Sequence, residues 1–399
     1  MTRSGHEIGA GLDPARAARP VAQGERIHVV GAAGAGASAA ALLAHGVGAA
    51  VTACDSGGPT PYVRALAHER IPIEWSHDPA HIGAGDRASV DRVAVTKALT
   101  SVDPDHPELM AARRLGVPLE SWQQVVADAA ATTGQRLVAV TGTHGKSTSS
   151  GWLVHLLAHA GRDPSAFVGA LLPAALTSGV ASTARLGDGD EFIVEADEYA
   201  GNFDPYHPRI AVLLNAEWDH PDVFADAAAV HDAFAAWIEA AANAATAEDG
   251  SGLVVVANVG DAGIRAVLER VRGEHVRVVG AALADEASAV PDGTEVIGTL
   301  ADGILRLDGV GDAPVWVRMP LDGRHNAANA VCVAAAAFEL GVPGDQIGAG
   351  LASFGGVGRR MELMGEPRGV TVLDDYGHHP TAIAATLDAV QGRYPGRPV

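Results

Sequence analysis

The segment Gly142–Thr148 (GTHGKST) carries the clearest chemical signal in the sequence. Its glycines allow the backbone to wrap closely around phosphate oxygens, and a helix that begins just after them offers free N–H groups. Lys146 would place a positive charge beside a transferred phosphate, and the Ser147 hydroxyl suits Mg²⁺. The usual phosphate-binding loop has four residues between its glycines, whereas this segment has two. An ordinary glycine turn is the alternative, but a Lys-Ser pair between a strand and a helix favours phosphate binding.

Acidic and imidazole side chains follow two other apolar runs. Glu195 begins the segment EADE directly after Phe192–Val194, and His220 ends the segment Asn215–His220 (NAEWDH) after the next apolar run. The carboxyl ends of parallel strands face the crevice in which α/β proteins bind ligands. Carboxylate oxygens there could hold Mg²⁺, and a neutral imidazole oriented by Asp219 can also bind a metal. A solvated acidic loop and a structural histidine are the alternatives, and the nearby phosphate loop favours the metal site.

A second glycine turn, Gly31–Ser38 (GAAGAGAS), follows the β-rich run Arg26–Val30. Its order is G-x-x-G-x-G, whereas dinucleotide-binding turns have G-x-G-x-x-G. Asp55 follows at close to the spacing of about 20 residues that a ribose contact requires. A nucleoside diphosphate fits this turn, and a purely structural turn fits it as well.

Two asparagines, Asn326 and Asn329, lie three residues apart in the segment GRHNAAN, on one face of a predicted helix. Their amides could read an adenine edge or hold a loop, and both interpretations stay open. Arg360, in GRRME, suits a clamp on a γ-phosphate, although an isolated arginine more often forms a surface salt bridge.

The segment Asp374–Pro380 (DDYGHHP) combines Asp375 with the histidine pair His378 and His379. A structural network is one interpretation. A role in the site is favoured, because the glycine and proline of this segment fix its loop.

Strands and helices must alternate to position these segments. Apolar runs of strand length precede helical patterns along the whole chain, and a linker is predicted over 128–135. Such alternation predicts an α/β protein with parallel sheets. We expect a flexible tail over residues 1–25, a first domain over 26–130, a central domain over 131–319 and a last domain over 320–399.

The charge balance narrows the class of partner. The 399 residues include 48 Asp and Glu against 28 Lys and Arg, for a net charge of −20. Such a chain repels nucleic-acid backbones and anionic membranes. No apolar run reaches the roughly 18 residues that a membrane span requires. The N-terminus lacks the apolar region of a secretory signal, so we expect a cytoplasmic protein without membrane insertion.

The two cysteines, Cys54 and Cys332, cannot build a disulfide framework, and neither has a C-x-x-C partner. Both stand among apolar neighbours. We therefore expect two buried thiols.

The motifs GTHGKST, EADE, NAEWDH, GRHNAANA, GRRME and DDYGHHPT occur in this order along the chain. In that order they resemble the ATP-dependent Mur ligases of peptidoglycan synthesis, from about Arg26 to the end. With GAAGAGAS after the first strand, the sequence is most similar to the members that join L-alanine to UDP-N-acetylmuramate.

The resemblance implies a three-domain architecture and an enzyme. A Rossmann-like first domain would bind the UDP part of the substrate, and a P-loop-type central domain with a mostly parallel sheet would bind ATP and Mg²⁺. A Rossmann-like last domain would bind the amino acid and close over the site. ATP would phosphorylate the muramoyl carboxylate, and the amine of L-alanine would then displace phosphate from the acyl phosphate.

The resemblance also implies roles for individual residues. Lys146, Glu195, His220, Arg360 and Asp375 would be catalytic. The metal ligands would be Ser147, Glu195 and His220. The ATP contacts would come from Gly142, Thr143, His144, Gly145, Lys146, Ser147, Thr148, Asn326, Asn329 and Arg360, and the UDP contacts from Gly31, Gly34, Ala35, Gly36, Ser38 and Asp55.

Two departures from the family pattern leave alternatives open. EADEY and DHPDVF are partly similar to the related recycling ligase that adds a tripeptide to UDP-N-acetylmuramate. The last domain of the family is longer than the segment present here, so we expect an incomplete amino-acid site and weak or absent activity. A nicotinamide-dependent oxidoreductase that uses the Gly31 turn, and a non-catalytic nucleotide-binding regulator, are the competing hypotheses. A monomer and a homodimer are both compatible with the sequence.

Overall fold

The computed structural model describes residues 2–3, 5–284, 290–377 and 379–398. His378, one of the candidate histidines, lies outside the described residues. Strands and helices alternate along the chain, and the strands form two mainly parallel sheets. The predicted α/β class is confirmed.

A five-stranded sheet forms the core of the first part of the chain. Its strands are all parallel and lie in the order β3-β2-β1-β6-β7. They and the small hairpin β4-β5 comprise β1 (Arg26–Val30), β2 (Ala50–Cys54), β3 (Ile73–Glu74), β4 (Gly83–Ala84), β5 (Arg87–Ala88), β6 (Arg92–Val95) and β7 (Leu119–Ser121). The helices are α1 (Gly5–Ile8), α2 (Ala35–Gly46), α3 (Val63–His68), α4 (Lys97–Val102), α5 (Pro107–Leu115) and α6 (Trp122–Thr133).

The segment before β1 packs on this sheet, although we expected a flexible tail over residues 1–25. Ile8 is fully buried. The Arg16 guanidinium lies 2.7 Å from carboxylate oxygens of both Glu120 and Asp128. Because the Asp128 carboxylate has no solvent exposure, this pairing anchors the segment to the sheet.

Helix α6 occupies most of the stretch that the sequence predicted as a linker, 128–135. Its first turn is capped by Ser121, whose hydroxyl accepts from the N–H of Gln124 at 3.4 Å. The Ala/Thr/Gly composition suggested a linker, but Asp128 faces inward and pairs with the buried Arg92. The stretch is therefore helical as far as Thr133.

A ten-stranded sheet forms the core of the central part, in the order β10-β9-β11-β8-β12-β13-β14-β15-β16-β17. The strands from β9 to β15 in this order are parallel, and the pairs β9/β10, β15/β16 and β16/β17 are antiparallel. Their bounds are β8 (Arg136–Thr141), β9 (Ser165–Leu172), β10 (Ser182–Arg185), β11 (Glu191–Glu195), β12 (Ile210–Leu213), β13 (Leu253–Asn258), β14 (Val276–Leu283), β15 (Thr294–Ala301), β16 (Ile304–Asp308) and β17 (Val315–Arg318).

Five helices cover this sheet, namely α7 (Lys146–His159), α8 (Ala227–Asp249), α9 (Ala262–Leu268), α10 (Arg324–Glu339) and α11 (Gly344–Ala352). Helices α10 and α11 follow the predicted boundary at 319/320, yet both pack on the central part. A Cβ on Gly298 of β15 would lie 2.3 Å from Val331 of α10, and one on Gly350 of α11 would lie 2.9 Å from Leu156 of α7.

The last segment forms an antiparallel pair and one helix: β18 (Glu362–Gly365), β19 (Val372–Asp374) and α12 (Pro380–Arg393). Short 3₁₀ turns occur at Pro79–His81, Ala174–Leu176, Tyr199–Gly201 and Pro367–Gly369. Within the described parts of the chain, none of the helices combines the length and the hydropathy that a membrane crossing requires.

The register of the central sheet brings three loops together. Glu195 at the end of β11 pairs with Val140 of β8, and Leu213 at the end of β12 pairs with Thr141 of β8. The segments that follow these strands therefore leave the same edge of the sheet side by side, as the sequence predicted.

Candidate active site

A cavity of about 1140 Å³ opens at this edge of the central sheet. Its wall combines the start of α2, the loop between β8 and α7, the ends of β11 and β12, the start of α10 and the last segment. Of the predicted site residues, those in the wall are Ala35, Gly36, Thr143, His144, Gly145, Lys146, Ser147, Thr148, Glu195, His220, Asn326, Asn329, Arg360 and Asp375.

The loop between β8 and α7 depends on its two glycines. Gly142 has φ +143° and Gly145 has φ +81°, in the region that favours glycine. A Cβ at Gly145 would also lie 2.7 Å from the amide nitrogen of Asn329. Gly145 is the N-cap of α7, and no side chain caps this end of the helix. The free N–H groups of the first turn therefore remain available to an anion.

Lys146 lies at the centre of this loop with its ammonium group turned back onto the backbone. Nζ donates to the carbonyl oxygen of Gly142 at 2.7 Å and to Glu198 Oε2 at 2.9 Å, and Asp197 Oδ1 lies at 3.4 Å. Burial acts to lower the pKa of Lys146. The nearby carboxylates of Glu198, Asp197 and Glu195 together raise it by more, so the net pKa is above its ordinary value. The loop thus holds a permanent positive charge.

Ser147, in the first turn of α7, contacts Glu195 at the end of β11. The Ser147 hydroxyl donates to Glu195 Oε1 at 3.0 Å, and the N–H of Gly169 donates to Glu195 Oε2 at 2.6 Å. Arg360, from the last segment, donates from Nη2 to the Ser147 hydroxyl at 3.1 Å. Burial raises the pKa of Glu195, although the Gly169 N–H and Arg360 oppose this shift.

Asp197, Glu198 and His220 form a group whose ligand atoms lie within 4.8 Å of one another. His220 Nε2 lies 4.0 Å from Glu198 Oε1. Burial raises the pKa of Glu198. Burial is the largest influence on Asp197 and acts to raise its pKa, but Lys146, Asn202 and His220 together lower it by more, so the net pKa is below the ordinary value.

The His220 backbone has φ +54°, an uncommon conformation for a residue with a side chain. Its N–H is held by Asp219 Oδ1 at 2.7 Å, and its ring stands edge-on to Tyr199 at 4.8 Å. Asp219 therefore holds the backbone of His220 through Oδ1, while its Oδ2 lies 4.0 Å from His220 Nε2, beside the imidazole that the sequence predicts it to orient. This conformation turns the ring toward the acidic pair Asp197 and Glu198.

Asn215, directly after β12, is a positioning residue that the sequence analysis did not assign. Its Oδ1 accepts from the N–H of His144 at 2.8 Å, and its Nδ2 donates to the His144 carbonyl at 3.0 Å. The Thr143 hydroxyl joins the same two loops through the carbonyl of Glu217 at 3.1 Å. The sequence offered one indication of this role, since Asn215 is the first polar residue after an apolar strand.

A second group links the last segment to the phosphate loop, and it joins the predicted residues His144 and His379 to Glu217 and Thr381, which the sequence did not single out. The rings of His144 and His379 lie 4.6 Å apart, and Glu217 Oε2 lies 3.6 Å from His144 Nε2. The Thr381 hydroxyl donates to the same Glu217 oxygen at 2.8 Å. Burial lowers the pKa of His144, so this imidazole is neutral at neutral pH.

The other predicted residues of the last part occupy the rim of the cavity. Asn326 donates to the Asp322 carbonyl at 2.7 Å, and Asn329 contacts the phosphate loop at Gly145. Asp375 accepts from the N–H groups of Met361 and Gly377 at 2.9 Å each. The Asp375 carboxylate thus connects the backbone next to Arg360 with the backbone at Gly377, and this contact helps to position Arg360.

The glycine turn of the first sheet is held by Asp55. Asp55 Oδ2 accepts from the N–H of Ala33 at 2.9 Å, and Oδ1 accepts from that of Gly57 at 2.7 Å. Gly31 has φ +83°. A Cβ at Gly36 would lie 2.3 Å from the Trp122 ring, so that position has no room for a side chain.

Some predicted UDP contacts lie outside the cavity wall. Ser38 is fully buried, donates to the Ala35 carbonyl at 2.9 Å and lies 3.3 Å from the Thr183 hydroxyl of β10. The Ser38 hydroxyl thus faces the contact between α2 and strand β10 of the central sheet. The other predicted site residues outside the wall are Gly31 and Gly34 in the turn after β1, Asp55 directly after β2, and Gly142 in the phosphate loop.

Three family models match successive parts of the chain. "Mur ligase family, catalytic domain" matches residues 26–133, "Mur ligase middle domain" matches 140–337, and "Mur ligase, glutamate ligase domain" matches 359–399. The middle match covers α10 as far as residue 337, two residues before that helix ends.

Curated relatives are similar over most of the chain. The UDP-N-acetylmuramate–L-alanine ligase of Arthrobacter sp. (strain FB24) is 38% identical over 92% of this chain and 72% of its own length. The enzyme of the same name from Frankia casuarinae is 35% identical over 94% of this chain and 76% of its own length.

Solved structures of similar fold include a murein peptide ligase from Psychrobacter arcticus, with 26% identity and a TM-score of 0.73 over 94% of this chain and 77% of that one. The UDP-N-acetylmuramate-alanine ligase of Thermotoga maritima has 23% identity and a TM-score of 0.70 over 92% of this chain and 77% of that one. At this identity, the second structure supports the fold alone.

Proposed function

Since this chain belongs to the Mur ligase family, we propose that it joins L-alanine to UDP-N-acetylmuramate in peptidoglycan precursor synthesis, with conversion of ATP to ADP and phosphate. Members of the family form amide bonds in an ATP-dependent reaction, and this chain is such a ligase. One observation carries the proposed site. Lys146 pairs with Glu198 at the phosphate loop, and Arg360, from a distant segment, donates to the Ser147 hydroxyl, which itself donates to Glu195.

The reaction must activate a carboxylate, which is a poor acyl donor. A muramoyl carboxylate oxygen would attack the γ-phosphorus, and the bond from that phosphorus to the β,γ-bridging oxygen would break to release ADP. The amine of L-alanine would then attack the acyl carbon and lose a proton, and phosphate would leave. Both substrates of the first step are anions, so their approach requires positive charge at the loop.

Lys146 and Arg360 would supply that charge from opposite sides. Lys146 Nζ lies 2.9 Å from Glu198 Oε2, so an approaching γ-phosphate would exchange one anionic partner of the ammonium group for another. Arg360 contacts the phosphate loop through the Ser147 hydroxyl. A guanidinium in this position would stabilise the charge on the transferred phosphate, as arginine does in other phosphoryl transfers.

The donor set around the loop fits Mg²⁺. The carboxylates Glu195, Asp197 and Glu198 lie around one lysine; Glu198 is buried and the other two are half-buried, and desolvation raises the pKa of Glu195 and Glu198. This excess of oxygen donors over positive charge suits a hard divalent cation. We propose that Ser147, Glu195 and His220, together with the acidic pair Asp197 and Glu198, hold it. Bound there, Mg²⁺ would neutralise phosphate charge.

The first domain would hold the UDP part of the substrate with backbone N–H groups. The α2 helix begins at the glycine turn, and no side chain caps its first turn. This end of the helix can therefore bind a diphosphate. Ala35 and Gly36 lie in the cavity wall, so a substrate bound there would extend toward Lys146.

The packing also supports a revised domain division. Because α10 and α11 pack on the central sheet, we propose that the central domain extends to about residue 354 and that the last domain begins at the GRRME segment. Arg360 and His379 would then be the residues through which the last domain contacts the phosphate loop.

An assay in two stages tests the proposed function. The first stage supplies MgATP, UDP-N-acetylmuramate and hydroxylamine, which traps an acyl phosphate as a hydroxamate. The second stage replaces hydroxylamine by L-alanine and measures phosphate release, with D-alanine and the tripeptide as matched acceptors. We expect hydroxamate formation that requires the UDP-sugar, and phosphate release with L-alanine above that with either alternative.

Each outcome bears on one part of the proposal. Absence of hydroxamate would contradict carboxylate activation and favour a nucleotide-binding regulator. Hydroxamate formation together with a preference for the tripeptide would contradict the assignment of L-alanine alone. NADH binding at the first glycine turn would contradict the assignment of that turn to UDP.

A further inference from the structure

Six metal-binding side chains from the first domain converge beside the ends of its central strands, in a cluster that the proposed ligation does not use. None of them lies in the wall of the large cavity. The cluster comprises His28 on β1, Cys54 at the end of β2, His77 and His81 around the 3₁₀ turn, and His106 and Glu108 at the start of α5.

Four of these residues form the core of the cluster, and their ligand atoms all lie within 4.8 Å of one another. Cys54 Sγ lies 3.1 and 3.2 Å from the two Glu108 oxygens and 3.3 Å from His28 Nε2. His81 Nδ1 lies 2.6 Å from Glu108 Oε1. The ligand atoms of a tetrahedral zinc site lie about 3.3–3.8 Å apart, as follows from its bond lengths. A small outward movement would therefore admit an ion.

The imidazole of His28 is already oriented as a ligand. Its Nδ1 lies 2.8 Å from the Thr52 hydroxyl, and its Nε2 points at Cys54 and Glu108. Metal-binding histidines commonly have such a second partner, which fixes the ring and selects the nitrogen that binds. His28, Cys54 and Glu108 are all buried, so the ring has little freedom to turn away.

A neighbouring imidazole has an unmet hydrogen-bonding requirement. His106 is 4% exposed, and neither of its ring nitrogens has a hydrogen-bond partner among the residues that the structure describes. Its Nδ1 lies 3.9 Å from Glu108 Oε2, and its ring stands edge-on to His77 at 4.4 Å. A buried imidazole without a partner is unfavourable, and this one borders Glu108, the carboxylate that the core shares.

We propose that the cluster is a structural zinc site in which Cys54 Sγ, His28 Nε2, His81 Nδ1 and one Glu108 oxygen bind Zn²⁺. The thiol would lose its proton to solvent on binding, and the thiolate and carboxylate would then neutralise the charge of the ion. Sulfur and imidazole ligands select zinc over the magnesium of the central site. Four protein ligands leave no open position, which is typical of a structural site.

Such an ion would connect the elements that shape the first glycine turn. The Cys54 carbonyl accepts from the N–H groups of Gly31 and Ala32 at 3.0 and 3.1 Å. Asp55, the next residue, holds the same turn. Zinc at Cys54 would thus tie β2 and the turn to α5 through Glu108, so we expect it to stabilise the folded first domain.

Metal analysis of the whole chain tests the proposal directly. The protein is purified without chelators, or stripped and reloaded with Zn²⁺, and then separated from free metal. We expect one zinc per chain and a higher melting temperature in the zinc-loaded protein than in the stripped protein. Protein that retains no zinc above the buffer blank after reloading would overturn the proposal. Because this measurement uses no nucleotide, its failure would leave the ligase assignment unaffected.

Cobalt substitution locates the site. Co²⁺ bound to a thiolate gives a ligand-to-metal charge-transfer band, and the chain has two cysteines. We expect Cys54→Ser to abolish the band and the matched control Cys332→Ser, in α10, to retain it. A band that depends on Cys332, or the absence of a band in the wild-type chain, would contradict the assignment. If Cys54→Ser does not fold, His81→Ala replaces it, with loss of zinc retention as the expected result.

Discussion

The two glycine turns of this protein share a backbone plan and differ in the charges around it. In each, a parallel strand ends in a turn, and a helix with a glycine N-cap follows, Gly34 for α2 and Gly145 for α7. The central turn adds Lys146 with the carboxylates of Asp197 and Glu198 beside it. The first turn has Asp55, whose two oxygens are both occupied by backbone N–H groups of the turn and its neighbour.

This difference matters because binding a phosphate and transferring a phosphate have different requirements. Backbone N–H groups at a helix start suffice to bind a diphosphate that stays intact. A phosphate that changes partners needs preorganised positive charge and metal ligands at the same place, because charge develops during transfer. The residues of the central turn fit this requirement, and those of the first turn do not. We therefore propose that the first turn binds substrate and that the chemistry takes place at the second.

The largest effect is expected for Lys146→Ala. Removal of the ammonium group should reduce hydroxamate formation with UDP-N-acetylmuramate by at least about a thousandfold, the size typical of a lost cation in phosphoryl transfer. The measurement is the rate of hydroxamate formation at saturating MgATP. Circular dichroism verifies that the variant folds.

The same variant tests the comparison itself. Its affinity for UDP-N-acetylmuramate, measured by calorimetry, should stay close to that of the wild-type chain, because the first turn lies in another sheet. Turnover at the normal rate, or loss of UDP-sugar binding along with turnover, would contradict the division of roles.

Alanine in place of the two N-cap glycines gives the next largest difference. Gly145 has φ +81°, and a Cβ there would meet the Asn329 amide. The left-handed conformation alone costs about 1–2 kcal/mol for a residue with a side chain. Gly34 has φ −82°, and a Cβ there would meet only the Gly31 carbonyl oxygen, at 3.4 Å, in ordinary contact. Gly145→Ala should therefore weaken ATP binding more than about tenfold, and Gly34→Ala should leave it unchanged.

The pair of glycine variants is measured by calorimetric titration with ATP and by thermal unfolding. Equal losses of ATP affinity in both would show that the central turn does not depend on its special backbone conformation.

A smaller effect is expected for Asp55→Ala, with Asp55→Asn as the matched control. Alanine leaves the N–H of Ala33 without its acceptor, whereas asparagine retains an oxygen. A lost hydrogen bond to a charged group corresponds to about 1.5–3 kcal/mol. The affinity for UDP-N-acetylmuramate should therefore fall at least about tenfold in the alanine variant and less in the asparagine variant, with ATP affinity unchanged. An affinity for UDP-N-acetylmuramate equal to that of the wild-type chain in both variants would contradict a role of Asp55 in holding the first turn.

The smallest effect is expected for the change in melting temperature that Mg²⁺ causes, and this change should depend on pH. Burial raises the pKa of Glu195 and Glu198 above the ordinary 4.5. Between the ordinary and the raised pKa, the metal-free folded chain binds more protons than the unfolded chain, so the free energy of unfolding falls as pH rises through that window. Mg²⁺ binds the ionised carboxylates. It should therefore raise the melting temperature by a few degrees at about pH 8 and by less at about pH 5.

Thermal unfolding with NaCl at equal ionic strength is the control for this experiment. In Glu195→Gln, the magnesium response at the higher pH should shrink. A response of equal size at both pH values would contradict the role of the buried carboxylates.

Local segments of the fold and site were predictable from the sequence, and long-range packing was not. The phosphate loop is one continuous segment, so its strand, glycines and helix could be predicted together. Asp128 was placed in a linker, because its burial beside Arg92 depends on contacts far along the chain. Ser38 stood in a glycine motif, but the contact between the first domain and β10 turns it toward Thr183.

The structure mainly revealed the long-range partners of residues that the sequence had already singled out, and it revealed few new motifs. Lys146 was predicted from its neighbours in the chain, while its pairing with Glu198 spans 52 positions. The cluster around Cys54 shows the same limit. The spacing of Cys54 gave no metal signal, because its partners come from three other segments of the first domain.

A crystal structure of the chain with a non-hydrolysable ATP analogue and Mn²⁺ in place of Mg²⁺ tests the central claim most directly. We expect the γ-phosphate within hydrogen-bond distance of Lys146 Nζ, and an anomalous peak for the metal beside Ser147, Glu195 and His220. A nucleotide bound away from the loop between β8 and α7, or a metal that leaves these three residues without contact, would contradict the account.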